Sequence, residues 1–345
     1  MNKINTAILG YGRSGSTLHA DPLETLGADF TVSAVCDIDP KQQTAAQERF
    51  NCNIYDDYLK MLKQEDLDLV VIVTRSDQHC QMSCDCLNAG VNVLVTKPWC
   101  VNSAEAELMI AAEKSSGKML LPWLPARWGC DLLRLKELIA TGIIGKVFMI
   151  RRREFNFGIR HDWQTQQKYG GGYLLNWGPH IVDQAIQLSG ENIKSVYAQL
   201  RQVINPGDVE DTFNAQLITE SGIILSCEYA TAINKLPNWV IQGDRGTIFV
   251  KETAIEIHQA KLSDNCDETE YRNNPEIVVT NEELTDDHRI TIGNRYGDSL
   301  AVYPEIAQAL KREIVYPVTT ASALQLTKVF DAIKASNQAN KVITL

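Results

Sequence analysis

The run Thr6-Ala7-Ile8-Leu9-Gly10-Tyr11-Gly12-Arg13-Ser14-Gly15 constrains the fold of this chain more than any other stretch. Four residues of strand type lead into three glycines spaced G-x-G-x-x-G, and Ser14 and its successors are suited to open a helix. A dinucleotide pyrophosphate requires that order of strand, tight turn and helix. Gly10 lets the chain turn out of the strand. Gly12 has no Cβ to hold the backbone away from the phosphates. Gly15 lets the helix pack close on the strand, and the helix N-terminus offers free N–H groups and a positive dipole end. Together with Tyr11, Arg13 and Ser14 these glycines form the expected cofactor loop. A second apolar strand, 30–36, ends in Asp37, about 22 residues beyond Gly15, the spacing of a carboxylate that binds the adenosine ribose hydroxyls. Such a carboxylate repels a 2′-phosphate, which predicts NAD rather than NADP. Arg13 is the opposing consideration, because a guanidinium there could reach a phosphate or stack on the adenine.

Further strands are expected at 69–73, 91–95 and 119–121, with helices at 42–50, 58–63, 78–89 and 103–116 between them. Continuous apolar strands alternating with helices predict a doubly wound parallel sheet, a Rossmann domain over residues 1–122. The helix after the glycine loop should be short, because Asp21-Pro22 is suited to cap and open a new one. Residues 123–345 read differently. Helices at 131–141 and after the glycines at 170–172 accompany long strands at 146–155, 195–203, 211–219, 223–229, 239–242 and 247–250, with an acidic excursion at 263–275 and closing helices at 299–312 and 321–337. This predicts an α+β domain on an open, mainly antiparallel sheet. Its strands alternate or run apolar, so its free face should need cover, as in a homodimer or homotetramer.

Composition narrows the function. A formal net charge of −10 disfavours nucleic acid and anionic membranes as partners, and no apolar run approaches a membrane span. The first residues enter a strand directly with no signal-peptide pattern, so a cytoplasmic location is expected. Nine cysteines, an odd number, read as free thiols rather than a disulfide framework. Cys80, Cys84 and Cys86 lack a second pair to complete a tetrahedral set, so no metal is expected and these thiols should pack a helix on the sheet.

Three clusters carry chemistry. Thr74 to His79 follow the third parallel strand, at the edge where ligands bind. Asp77 there is either a helix cap or a cofactor ligand, and His79 either structural or a cofactor ligand. Lys97-Pro98 ends the next strand. If Lys97 points into the site, its ammonium can stabilise an alkoxide formed as hydride leaves; otherwise it is a surface lysine opening a loop. The third cluster runs from Gly170 to His180 and on to Asp183. Asn176 and His180 share one helical face, and His180 is either structural or a proton acceptor for an alcohol.

Taken together, the glycine loop, Asp37, the 74–79 segment, Lys97-Pro98 and the glycine-rich run to His180 and Asp183 resemble the glucose–fructose oxidoreductase/inositol dehydrogenase family, written Gfo/Idh/MocA. The likeness spans essentially the whole chain. It implies a Rossmann domain, a C-terminal α+β domain that forms dimers or tetramers, and nicotinamide-dependent oxidation or reduction of sugars and cyclitols. By position, Lys97 matches the lysine of the family's E-K-P motif and His180 its catalytic histidine. Two positions depart from the pattern: Thr96 stands where the family has glutamate, and Asn176 where it has aspartate. Asparagine hydrogen-bonds a hydroxyl but carries no charge against an imidazolium.

The expectation is an NAD-dependent oxidoreductase acting on a secondary alcohol or ketone of a sugar, sugar derivative or inositol. Lys97, His180 and Asn176 are the candidate catalytic residues, and Arg127, Arg160, Asp162 and Trp163, with Asn176, the candidate substrate contacts. Two rivals share the cofactor: an enzyme that cleaves glycosides by transient oxidation, and a non-catalytic dinucleotide or sugar sensor.

Overall fold

A computed structural model describes residues 3–233, 236–261, 276–284, 294–297 and 299–345. The acidic stretch 263–275 lies outside the described residues. The chain forms two compact units, Met1–Pro125 with Gln166–Gly171 and Asp298–Lys328, and Ala126–Thr165 with Gly172–Gly297 and Val329–Leu345. The sequence boundary at 122/123 puts 166–171 and 298–328 in the second domain, whereas they group with the first unit.

The first unit runs β1 (Ile4–Leu9), α1 (Ala20–Thr25), β2 (Phe30–Cys36), α2 (Pro40–Phe50), β3 (Asn53–Tyr55), α3 (Tyr58–Gln64), β4 (Leu69–Ile72), α4 (His79–Asn88), β5 (Asn92–Val95), α5 (Ser103–Ser116) and β6 (Leu120–Pro122). Its six strands pair in parallel in the order β3-β2-β1-β4-β5-β6. All four residues of β4 and the last three of β5 are buried, which is why both read as unbroken apolar runs. The order reverses at β1, so the C-terminal ends of β1 and β4 border the switch-point crevice. β3 has three residues, none of them buried, and gives no such run. Cys86 lies in the core, with Cys80 and Cys84 packed against it. Burial pushes the Cys86 thiol up to about 12.

Between β1 and α1 lies a single π-helical turn, Gly15–His19. α1 opens at Ala20, one residue before the expected cap, so Pro22 falls inside its first turn. Asp21 instead pairs with Arg49 at 2.7 Å.

The second unit contains α6 (Cys130–Ala140), β7 (Val147–Phe155), α7 (Tyr173–Ser189), β8 (Ile193–Arg201), β9 (Thr212–Thr219), β10 (Ile224–Ala230), β11 (Trp239–Gly243), β12 (Gly246–Lys251), β13 (Ala254–Lys261) and β14 (Glu276–Glu283). The chain then passes through α8 (Ser299–Leu310) and α9 (Thr320–Ala339) to β15 (Ile343–Thr344). The second sheet has the order β14-β13-β12-β11-β7-β10-β9-β8-β15. β7 pairs with β10 in parallel and the other described pairings are antiparallel.

Phe213, Ala215, Leu217, Leu225 and Ile241 fill the covered face, and α7 packs on β7 and β10. The outward face is mixed rather than apolar. Gln216 bonds Ser226 at 2.8 Å and Arg151 bonds Gln242, while Val240, Phe249 and Val279 lie towards β14. Among the described residues no helix is long and apolar enough to cross a membrane.

Candidate active site

Backbone sterics shape the glycine loop. Gly10 has φ +92°, and a Cβ there would stand 2.8 Å from the Val73 carbonyl oxygen. A Cβ on Gly15 would lie 2.1 Å from the Gly10 oxygen. Gly12 is different: it is exposed, and its Cβ would meet nothing within 4 Å. Among the described residues no atom blocks a Cβ at Gly12. The open space over its backbone fits the approach of a pyrophosphate.

Asp37, at the end of β2, faces this loop. One carboxylate oxygen accepts from the Tyr11 N–H at 2.6 Å and the other from the Asp39 N–H at 2.9 Å. A carboxylate has about four acceptor positions, so capacity remains for ribose hydroxyls. Tyr11 contributes through its backbone. Its side chain is buried against Phe50, and burial raises the phenol's pKa. Arg13 is exposed and Ser14 half-buried.

Beyond β4, the half-buried Thr74 places its hydroxyl on the Met82 sulfur at 3.5 Å. Asp77 caps no helix. The N-cap position of α4 is Gln78, and Asp77 instead faces Arg75 at 3.3 Å. Arg75 lies 4.0 Å over the ring of Tyr169, a contact that brings 166–171 onto this loop. Its two halves are over ninety residues apart in sequence, so no local pattern announces it.

His79 is enclosed, with 1% of its surface exposed. Its Nδ1 lies 2.7 Å from the Pro98 oxygen and its Nε2 3.1 Å from the Thr74 oxygen. With both nitrogens on backbone carbonyls, the ring has no polar atom left for a dinucleotide. As an expected cofactor ligand His79 is therefore corrected: burial and these contacts take it out of the ligand shell.

Lys97 is the half-buried residue in a run where Val95, Thr96, Pro98, Trp99 and Cys100 are all buried. The Thr96 N–H bonds the Ile72 oxygen at 3.0 Å, and the Trp99 indole bonds Thr327 at 2.8 Å. The Lys97–Pro98 peptide is cis.

In the second unit, Gly172 precedes α7 with φ +108°, and a Cβ there would stand 2.5 Å from Glu210 Oε1. That oxygen accepts from the Leu174 N–H at 3.0 Å, in the first turn of α7. The glycine gives a distant carboxylate access to the helix start. Asn176, half-buried, and His180, 8% exposed, lie on α7 one turn apart. His180 packs edge-on to Trp177 and to Tyr296, with centroids 5.7 and 5.5 Å away. Tyr296, over a hundred residues downstream, was not singled out in the sequence.

Asp183 is buried and takes a two-pronged bond from Arg127, Nε and Nη2 each at 2.9 Å. Arg127, an expected substrate contact, thus gives two N–H groups to the helix that carries His180. Arg160 pairs with Asp162, and the Arg160 N–H bonds Asn205 at 2.9 Å. Trp163 opens a short 3₁₀ turn and is half-buried.

These features agree with known proteins. Residues 4–122 match the family model of the oxidoreductase family, NAD-binding Rossmann fold, and residues 132–249 that of the GFO/IDH/MocA C-terminal domain. The chain is 23% identical over 357 residues to a scyllo-inositol 2-dehydrogenase (NADP(+)) of Bacillus subtilis, covering 100% of this chain and 97% of the relative. It is 26% identical over 241 residues to an inositol 2-dehydrogenase of Salmonella paratyphi B, covering 67% and 70%. The crystal structure of an NAD-binding protein from Listeria innocua superposes with a TM-score of 0.83 at 26% identity, covering 99% of this chain and 97% of that one. The chain belongs to the GFO/IDH/MocA family and is an NAD-binding oxidoreductase acting on CH–OH groups.

Proposed function

We propose that the protein oxidises a secondary alcohol, or reduces the matching ketone, in a sugar, sugar derivative or inositol. The observation that carries this reading is Lys97: a half-buried ammonium in an otherwise buried run, on the sheet edge that also bears the glycine loop. The inositol dehydrogenases among its relatives support the substrate class.

A bound nicotinamide would accept or supply the hydride. Gly10, Gly12 and Gly15 would hold its pyrophosphate and Asp37 its ribose. Lys97 donates to the oxygen on the reacting carbon and stabilises negative charge there as the C–H bond breaks. His180 takes the hydroxyl proton in oxidation and returns it in reduction. Asn176 holds a neighbouring hydroxyl, with Arg160, Asp162 and Trp163 as further substrate contacts. Arg127 acts through Asp183 on α7.

The preferred cofactor is NAD(H), because a 2′-phosphate would meet the Asp37 charge. The Bacillus relative carries NADP(+) in its name. A fluorescence titration should give tighter binding of NADH than of NADPH, and the reverse order would overturn the assignment. Self-association as a homodimer or homotetramer belongs to the same reading, supported by Val240, Phe249 and Val279 on the outward sheet face. Sedimentation showing monomer alone at micromolar concentration would contradict it.

The reaction itself is tested with a panel of polyols and keto-sugars read by nicotinamide absorbance, and a glycoside panel beside it. Net cofactor turnover with a polyol or keto-sugar is expected. Glycoside cleavage without net turnover would replace this reading with the transient-oxidation mechanism.

A further inference from the structure

We propose that His79 is a positioning residue for Lys97, acting through the carbonyl of Pro98. The proposal rests on reading Lys97 as the group that meets the reacting oxygen. His79 begins α4, and its ring lies against the ends of two adjacent parallel strands. Its Nδ1 is 2.7 Å from the Pro98 oxygen, just beyond β5, and its Nε2 is 3.1 Å from the Thr74 oxygen, just beyond β4.

A carbonyl oxygen only accepts, so each contact calls for an N–H from the ring, and a neutral imidazole carries one. Burial lowers the ring's pKa although both carbonyls raise it, which leaves the ring neutral at pH 7. The shorter contact assigns that proton to Nδ1 and the donated bond to Pro98.

The bond matters because of what flanks Lys97. On one side the Thr96 N–H is tied to Ile72 at 3.0 Å. On the other, Pro98 lacks an N–H and offers its carbonyl, which His79 holds. Trp99 and Cys100 then run into the core. Lys97 is thus fixed at both neighbours, and His79 supplies the side-chain half of the clamp. Without the Nδ1 donor, the Pro98 carbonyl would be buried with no hydrogen bond from His79. The Pro98–Trp99 peptide would then shift to find another partner, and Lys97, one residue before it, would lose that anchor.

Two variants separate this from a plain core role. In asparagine the side-chain N–H₂ lies as many bonds from the backbone as histidine Nδ1 does, and in glutamine as many as Nε2. His79→Asn therefore keeps a donor for Pro98, whereas His79→Gln moves it towards Thr74. If His79 served only as core filling, the smaller asparagine would leave the larger cavity and disturb Lys97 at least as much as glutamine, the opposite order to the one proposed.

The readout is the acylation rate of Lys97 by an acetyl succinimidyl ester, measured by mass spectrometry with no cofactor or substrate present. Lys63 and Lys114 serve as internal references. In His79→Asn the Lys97 rate should stay within about twofold of wild type, and in His79→Gln it should rise by about fivefold or more. Equal Lys97 rates in the two variants would overturn the proposal.

Should either variant fail to fold, the wild-type ring decides. Nitrogen chemical shifts, assigned by elimination with variants of the other histidines, should show a proton on Nδ1. A neutral ring protonated on Nε2 alone would overturn the proposal. The labelling experiment is independent of turnover. No activity on the polyol panel would remove the dehydrogenase reading while leaving the His79–Lys97 link standing or falling on its own result.

Discussion

Gly12 and Gly15 lie in one loop and should fail in opposite ways when each is replaced by alanine. At Gly15 the new Cβ would stand 2.1 Å from the Gly10 oxygen and 3.0 Å from the Gly10 carbon, both backbone atoms. A real contact needs at least about another ångström, so either the turn or the helix start must move. Overpacking of this kind costs about 1–3 kcal/mol, and better helix propensity returns at most about 1 kcal/mol. A net loss of about 1–2 kcal/mol lowers the melting temperature of a domain of this size by about 2–8 °C.

At Gly12 the Cβ meets nothing within 4 Å. Stability should change by no more than about 0.5 kcal/mol, and the melting temperature by about 2 °C or less. The methyl group instead fills the space assigned to the pyrophosphate. NADH binding should weaken by about tenfold or more, the equivalent of 1.4 kcal/mol. Calorimetry and an NADH fluorescence titration read the two quantities separately. A Gly12→Ala protein that binds NADH as tightly as wild type would refute the placement of the phosphates. An unchanged melting temperature in Gly15→Ala would refute the steric account of the turn.

Three further outcomes follow from the same geometry. Lys97→Ala should lower kcat by about a hundredfold or more while NADH affinity changes little, because its proposed contact forms as charge develops; normal turnover would remove Lys97 from the site. Asn176→Asp should move the acid inflection of kcat/KM to higher pH, because His180 must be neutral to accept a proton and a carboxylate one turn away favours its charged form; an unchanged profile in a folded variant would show the two are not coupled. His19 is fully buried with its Nδ1 2.8 Å from the Tyr303 hydroxyl, and burial lowers its pKa to about 3. The unfolded chain binds this proton more readily, so the contribution is complete above about pH 6.5 and is lost as pH falls towards 3. Thermal melts at pH 7 and 4.5 should show a smaller loss in His19→Gln than in wild type, and equal losses would contradict the assignment.

The glycine loop and most of the parallel sheet were legible because each rests on a local pattern. Continuous apolar runs mark strands covered on both faces, and a G-x-G-x-x-G between strand and helix needs nothing distant to be read. Strands β13 and β14 were missed; their outward positions carry Glu256, His258 and Asn281 and blur the apolar signal. The return of 166–171 and 298–328 to the first unit was also hidden, since Arg75 meets Tyr169 and His19 meets Tyr303 only after folding. Asp77 reads as either a cap or a cofactor ligand, and the capping alternative fails because its carboxylate is drawn to Arg75, two residues away. The identities of Lys97, Asn176 and His180 were plain from the chain. The support beneath Lys97 was not, because the partner of His79 is a backbone oxygen 19 residues on.

The central claim, hydride transfer from a secondary alcohol carbon, is tested most directly by isotope. A polyol that responds in the panel is prepared with deuterium at the reacting carbon and oxidised with NAD⁺, and the mass of the reduced cofactor is measured. The account predicts one deuterium in the NADH for each ketone formed, and the same ratio at a rate lower by about a hundredfold or more in Lys97→Ala. NADH free of deuterium, or deuterium returned to the organic product with no net NADH, would contradict it.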